Sequence, residues 1–244
     1  MDARDKVAVV TGAGRGIGRA IAVKLAQAGA EVAILYRKKP EPAAAVKAEI
    51  EKAGRRCEAY QCDVSDPELV HDTFEKIKEG FSRIDVLVNN AGLASWGNFI
   101  ADTSFLEWDK VMRANLYGPY NCIREALPIM RAQKGGHIIN VSSILGKRSR
   151  PKLAVYTACK HAVEGFSRSL LGDANRFGIK ISILAPAAIR TEWAAKAGST
   201  LPEGVRLLAP EEVARMAECL IETDAHCNIW NMDLIALEQS IEPI

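Results

Sequence analysis

No apolar run in these 244 residues approaches the ~20 residues that a membrane-spanning helix needs. Net charge is also scarce: 32 Lys and Arg stand against 30 Asp and Glu, leaving +2. That balance argues for neither a nucleic-acid nor a membrane partner. The six cysteines, at 57, 62, 122, 159, 219 and 227, form no C-x-x-C pair, and the four histidines add no ligand spacing. They read as reduced, mostly buried thiols, and no metal is expected. Cys159 stands beside Lys160, but adjacent helical residues point different ways, so it is not read as catalytic. The opening MDARDKVAVV puts charges ahead of a short apolar stretch and lacks the long apolar segment of a signal peptide, so a cytoplasmic location is expected. No repeat, low-complexity tract or linker divides the chain.

What is present is alternation. KVAVVT (6–11) is an apolar, β-branched run that reads as a buried parallel strand. GRAIAVKLAQAG (18–29) follows with helical periodicity and ends on a glycine. Strands are expected at 31–36, 57–64, 84–89, 137–142, 179–186 and 228–237, and helices at 43–54, 66–81, 106–132, 153–177 and 210–222. The stretch 191–209 is irregular. Seven strands alternating with about six helices predict one α/β domain spanning 1–244. It would be a doubly wound parallel sheet with helices on both faces, holding ligands outside the carboxyl ends of its strands.

TGAGRGIG (11–18) lies between the first strand and the first helix. Gly12, Gly14, Gly16 and Gly18, with Arg15 and Ile17 between them, form a turn on which backbone can approach a pyrophosphate at a helix N-terminus. A dinucleotide site is expected there. NAD sites usually carry an acid at the end of the second strand. Here that strand runs into Tyr36, Arg37, Lys38 and Lys39. Arg37 and Lys38, joined by Arg15, would meet a 2′-phosphate, which predicts NADP(H). Lys39 reads as a solvated loop residue.

TGAGRGIG, Asp63-Val64, NNAG (89–92), Asn115, Ser143 and YTACK (156–160) stand in an order and spacing that resemble the classical short-chain dehydrogenase/reductases. The resemblance runs from about Lys6 to Thr191 and more loosely to the end. It implies a Rossmann-type fold and a hydride-transferring oxidoreductase. It also implies that Asp63 hydrogen-bonds the adenine edge with Val64 beside it, and that Asn90 and Gly92 line the cofactor channel. Pro186, Ile189 and Thr191 resemble the segment that meets the nicotinamide end, although the family more often has Gly where this chain has Ala187. In the family the active Ser lies 13 residues before the Tyr and three before a Gly; Ser143 meets both counts and Ser142 meets neither. The implied catalytic set is Asn115, Ser143, Tyr156 and Lys160, with Tyr156 and Lys160 also touching the cofactor.

The chemistry of these residue types agrees with that assignment. Carbonyl reduction needs a hydride, a proton and a group to hold the developing oxyanion. Tyr156 can give the proton, Lys160 one helical turn away can lower the phenol pKa, and Ser143 can bind the substrate oxygen. Asn115 would, as the family implies, hold a water leading to Lys160. Lys147, Arg148, Arg150 and Lys152 put four cations beside the expected substrate entrance, which admits an anionic or carrier-linked substrate as readily as a solvated loop or a subunit contact. A lid is expected at 191–209, carrying Trp193, Leu201, Val205, Leu207 and Leu208, with Trp96 facing the same space. The tail 224–244 contains no Gly, unlike many members, and a homodimer through 106–132 and 153–177, or a homotetramer, is expected. The leading expectation is an NADPH-dependent carbonyl reductase acting on a ketone, such as a 3-oxoacyl compound. An NAD-dependent alcohol dehydrogenase and a non-catalytic dinucleotide sensor are the alternatives.

Overall fold

A computed structural model describes residues 3–94, 98–192 and 206–238. Seven parallel strands form one sheet: β1 (Val7–Thr11), β2 (Glu31–Tyr36), β3 (Cys57–Gln61), β4 (Val86–Asn89), β5 (Gly136–Val141), β6 (Ile179–Pro186) and β7 (Asn231–Leu234). Their order is β3-β2-β1-β4-β5-β6-β7. The helices are α1 (Gly16–Gln27), α2 (Pro40–Lys52), α3 (Pro67–Phe81), α4 (Phe105–Met112), α5 (Gly118–Gln133), α6 (Ala154–Ala174) and α7 (Pro210–Glu222). Among the described residues, no helix is long and apolar enough to cross a membrane.

Strand alternation sorts the core onto two faces. Ala8, Val10, Val32 and Ile34 pack under α1, α2 and α7. Val7, Val9, Ala33 and Leu35 pack under α3, α5 and α6. Both sides of each central strand are covered, which explains why these strands read as continuous apolar runs rather than alternating ones. The strand order turns back between β1 and β4, so a crevice opens at their carboxyl ends.

Three expected elements differ. The third strand is shorter than 57–64 because Cys62 to Asp66 turn into α3, where Asp66 caps the helix by accepting from the amides of Glu68 and Leu69. The helix expected at 106–132 is divided into α4 and α5 by a π-turn at Arg113–Tyr117. Pro119 has no N–H to give the Asn115 carbonyl, and the Gly118 amide reaches back five residues to Arg113. The last strand holds only the middle of 228–237.

Candidate active site

The crevice is organised first by a threonine that the motif reading passed over. Thr11 ends β1, and its Oγ1 donates to the Val88 carbonyl at 3.3 Å. The same oxygen accepts the amides of Asn90 at 3.0 Å and Ala91 at 2.9 Å. Asn90 Nδ2 in turn donates to the Thr11 carbonyl at 2.8 Å. The glycine turn and the NNAG segment are thereby tied together on both sides of the switch point.

Within the turn the glycines do different jobs. Gly12 and Gly16 have φ of +65° and +56°, which L side chains rarely adopt. Gly18 is held by sterics instead: a Cβ there would lie 2.5 Å from the Gly12 carbonyl oxygen and 2.4 Å from Asn90 Nδ2. It allows the helix to close on the turn and is buried, away from any approaching phosphate. Gly14 faces the start of α2 and Ile17 lies in the first turn of α1. Arg15 does not stand open as expected; its Nη1 donates to Glu192 Oε2 at 3.0 Å, a pair exposed on both sides. Thr191 sits over Gly16, with Cγ2 3.6 Å from where a Gly16 Cβ would be.

At the end of β2, Tyr36 is half-buried and Arg37 and Lys38 are exposed. One Asp63 oxygen accepts from Ser65 N at 3.1 Å and Ser65 Oγ at 2.7 Å, so only part of that carboxylate faces elsewhere. Val64 is buried, its carbonyl accepting from the buried Asn121 Nδ2 at 2.9 Å. On the far side, Pro186 closes β6 and Ile189 is buried. Ala187 continues the ladder by donating to the Leu234 carbonyl at 2.8 Å, and its φ is not in the left-handed region. No glycine is required there.

The α6 helix carries Tyr156 and Lys160 on one buried face. Tyr156 is 8% exposed and Lys160 6%. Burial pushes the Tyr156 phenol well above its ordinary value, and a hydrogen bond with Ser143 opposes that push. Burial pulls Lys160 down to about 8. Lys160 Nζ lies 5.5 Å from the Tyr156 ring centroid and donates to the Val141 carbonyl at the end of β5, at 2.8 Å. Burial is the largest influence on the Tyr156 phenol. Cys159 is buried against Met112, and burial pushes its thiol up to about 11, so it is no nucleophile.

Ser142 and Ser143 do face opposite ways. The Ser143 hydroxyl meets Tyr156 and accepts the Leu145 amide at 3.2 Å, while Ser142 points beneath the turn toward Gly146. Asn115 sits in the π-turn, with Nδ2 donating to the carbonyls of Leu93 at 2.6 Å and Val111 at 2.9 Å. Its Oδ1 is buried without a hydrogen-bond partner and lies 2.6 Å from where a Gly92 Cβ would be. Gly92 is thus demanded by Asn115.

The four-cation stretch is dispersed. Lys147 turns to β7, where it donates to Asn231 Oδ1 at 2.7 Å and to Asp233. Lys152 Nζ lies 4.8 Å above the Phe99 ring. Arg148 is half-buried. Of the lid, Leu208 pairs with Ile189 in a short parallel bridge; Trp96, Trp193, Leu201 and Val205 lie outside the described residues.

A crevice of this order, with a buried Ser–Tyr–Lys cluster at one end and a glycine turn at the other, has counterparts. A family model for short chain dehydrogenases matches residues 6–202. The chain belongs to that family. It is 38% identical over 213 residues to the 3-oxoacyl-(acyl-carrier-protein) reductase FabG of Staphylococcus aureus, covering 87% of this chain and 85% of that one. It is 39% identical over 187 residues to a 3beta-hydroxysteroid dehydrogenase of Mediterraneibacter gnavus, covering 77% and 67%. A metagenomic short-chain oxidoreductase solved with NADP superposes with a TM-score of 0.84 at 33% identity, covering 96% and 98%. The protein is thus a short-chain dehydrogenase/reductase, an oxidoreductase acting on CH–OH or C=O groups.

Proposed function

We propose that this short-chain dehydrogenase/reductase reduces a ketone to an alcohol with NADPH, Tyr156 giving the proton. The observation that carries the reading is the buried Tyr156 hydroxyl, met by the Ser143 hydroxyl on the helix face that also carries Lys160. A phenol held neutral is a proton donor; oxidation of an alcohol would need it as phenolate. When bound with its ring beside this cluster, a reduced nicotinamide supplies hydride. Ser143 Oγ then holds the substrate oxygen as negative charge grows on it, and Tyr156 delivers the proton to that oxygen. Lys160 and Asn115 replenish the proton from solvent, the Asn115 Oδ1 being a buried acceptor without a partner. An NAD-dependent dehydrogenase running in the oxidative direction is the second reading.

The chain's residues suit the dinucleotide. Gly12 and Gly16 adopt the backbone of a phosphate-approaching turn, and the first turn of α1 offers its N–H groups. Asp63 and Val64 would meet the adenine, Asn90 and Gly92 the ribose channel, and Pro186, Ile189 and Thr191 the nicotinamide side. Selection for the 2′-phosphate falls on Arg37 and Lys38, which are exposed at the end of β2, where no acid stands. Arg15 joins them on leaving Glu192.

The substrate class favoured is a keto compound such as a 3-oxoacyl ester, with an anionic or carrier-linked group facing the basic stretch 147–152. A single domain over 1–244 with a lid at 191–209 completes the reading. Phe105 and Leu106, 83% and 78% exposed at the start of α4, fit a homodimer or homotetramer built on 106–132 and 153–177. Six unpaired thiols, two of them exposed, fit a reducing, cytoplasmic compartment.

The test is NADPH and NADH consumption by the pure protein over ketones, aldehydes and 3-oxoacyl thioesters, with Tyr156→Phe alongside. Turnover with NADPH that the variant loses supports the reading. NADH preferred over NADPH sinks the cofactor assignment, and turnover untouched in Tyr156→Phe sinks the mechanism.

A further inference from the structure

We propose that Glu164 is a positioning residue of this site, a buried carboxylate whose negative charge, one helical turn behind Lys160, keeps that ammonium charged. Tyr156, Lys160 and Glu164 follow one another at four-residue intervals on the inward face of α6. Helical side chains lean toward the N-terminus, so Glu164 lies over the turn that carries Lys160. It is 2% exposed, and neither of its oxygens accepts a hydrogen bond. A charge buried in that way is costly unless another charge answers it.

The surroundings narrow the choice of partner. A Cβ on Gly146 would meet Glu164 Cγ at 2.7 Å, Ser142 Oγ at 2.8 Å and the Lys160 carbonyl oxygen at 3.0 Å. Glu164 and Ser142 therefore share one small space between α6 and the turn that presents Ser143. The Ser142 hydroxyl also has no hydrogen-bond partner. Arg168, half-exposed on the same helix, stands 3.6 Å from Oε2 and answers the carboxylate from the solvent side only.

Other charges near Lys160 are accounted for. Lys147, from the turn, is committed to Asp233 and Asn231 on β7. Ser143 on that turn and Asn115 on the π-turn are uncharged. Arg113, beside Asn115, is paired with Asp109. On α6 itself, the Cys159 thiol is pushed up to about 11 and the Tyr156 phenol is raised, so both stay neutral at working pH. Burial pulls Lys160 down to about 8, and Cys159 and then Glu164 act against that pull. Without the carboxylate, Lys160 would lose its proton at lower pH.

The inference rests on the proposed role of Lys160, and its test separates the two. Expected for Glu164→Gln is an alkaline limb of kcat moved to lower pH by roughly one unit, with Glu164→Asp restoring most of the wild-type limb. Arg168→Gln, at an exposed position, removes a cation beside the carboxylate and should move the limb a few tenths of a unit to higher pH, by roughly the scale of a screened surface charge. A purely structural Glu164 would lower Tm in Gln and Asp variants and leave the limb where it is. NMR titration of side-chain-labelled Lys160 reads the same shifts without turnover. A protein that reduces no ketone thus sinks the proposed function while the titration still decides this inference. If Glu164→Gln does not fold, Glu164→Met, which removes the buried charge without leaving an unpaired amide, takes its place. A Lys160 titration that is unmoved, or moves to higher pH, when the Glu164 charge is removed overturns the inference.

Discussion

The two ends of the crevice are built from different materials. The proposed nucleotide end consists of backbone and exposed charge: a glycine turn, the first turn of α1, the exposed Arg37 and Lys38, and Arg15, exposed but paired with Glu192. The chemical end consists of buried side chains on rigid elements: Ser143 after β5, Tyr156 and Lys160 on α6, and Asn115 in a π-turn. Solvent screens the first and magnifies nothing. Burial magnifies the second, since removing water strengthens each interaction and shifts each proton affinity. The lesson is that loss of one atom should be severe at the buried end and graded at the exposed end.

That contrast can be broken experimentally, beginning at the buried end. Tyr156→Phe should lower kcat by about 10²–10⁴-fold, the usual worth of a positioned proton donor, while dinucleotide affinity measured by fluorescence titration stays near wild type. Equal losses in both would erase the distinction between the ends.

Between the ends lies the packing that joins them. Gly18→Ala forces a methyl to within 2.5 Å of the Gly12 carbonyl oxygen and 2.4 Å of Asn90 Nδ2. Overpacking of this kind costs about 1–3 kcal/mol. A thermal melt should show Tm lower by several degrees, and dinucleotide affinity should fall with it. An unchanged Tm would mean the turn yields easily and is less rigid than its contacts suggest.

The exposed end should respond by degrees. Arg37→Glu combined with Lys38→Glu should raise KM for NADPH by about ten- to a hundred-fold, the worth of one or two charge-assisted hydrogen bonds, and leave KM for NADH little changed. A parallel rise in both would remove these residues from 2′-phosphate selection. The smallest effect is expected for Glu192→Gln, which frees Arg15 from an exposed pair. Such pairs contribute about 0–1 kcal/mol, so KM for NADPH should fall by less than about five-fold, and the gain should fade at high salt.

The pH response belongs to the buried end. Lys160 has a folded pKa near 8 against an ordinary 10.5, lowered by burial. Between those values the unfolded chain binds the extra proton, so this residue's contribution to stability rises as pH climbs from about 8 to 10.5. Activity should run the other way, falling above about pH 8 as the cation is lost. Urea denaturation and kcat measured over the same pH range should therefore diverge. A parallel course would mean Lys160 is not the group that limits activity.

Much of this was legible in the chain. Strand runs such as KVAVVT (6–11) and IKISILAP (179–186) could be read because both faces are covered and every position but Lys6 and Lys180 is apolar or small. The nearness of Ser143, Tyr156 and Lys160 could be read from the spacing that the family resemblance supplies, 13 residues from Ser143 to Tyr156 and one helical turn on to Lys160. The division of 106–132 was harder, although Gly118-Pro119 marks it. Thr11, Asn121 and Glu192 went unseen because each works through a partner tens of residues away or more, such as Val88, Val64 or Arg15. The dispersal of the four-cation stretch was not legible because a cation's partner is not written beside it: Lys147 finds Asp233 on a strand more than eighty residues on.

The sequence alone determined the alternation of strands and helices, the turn that suits a dinucleotide, and the residue types that suit proton and hydride transfer. Periodicity, glycine placement and motif spacing are local properties, and local sterics enforce them. Tertiary structure alone decided the protonation of Tyr156 and Lys160, the commitment of Arg15 to Glu192, and the burial of Glu164 behind the site. Burial and long-range pairing set those quantities, and neither exists until the sheet has brought distant segments together.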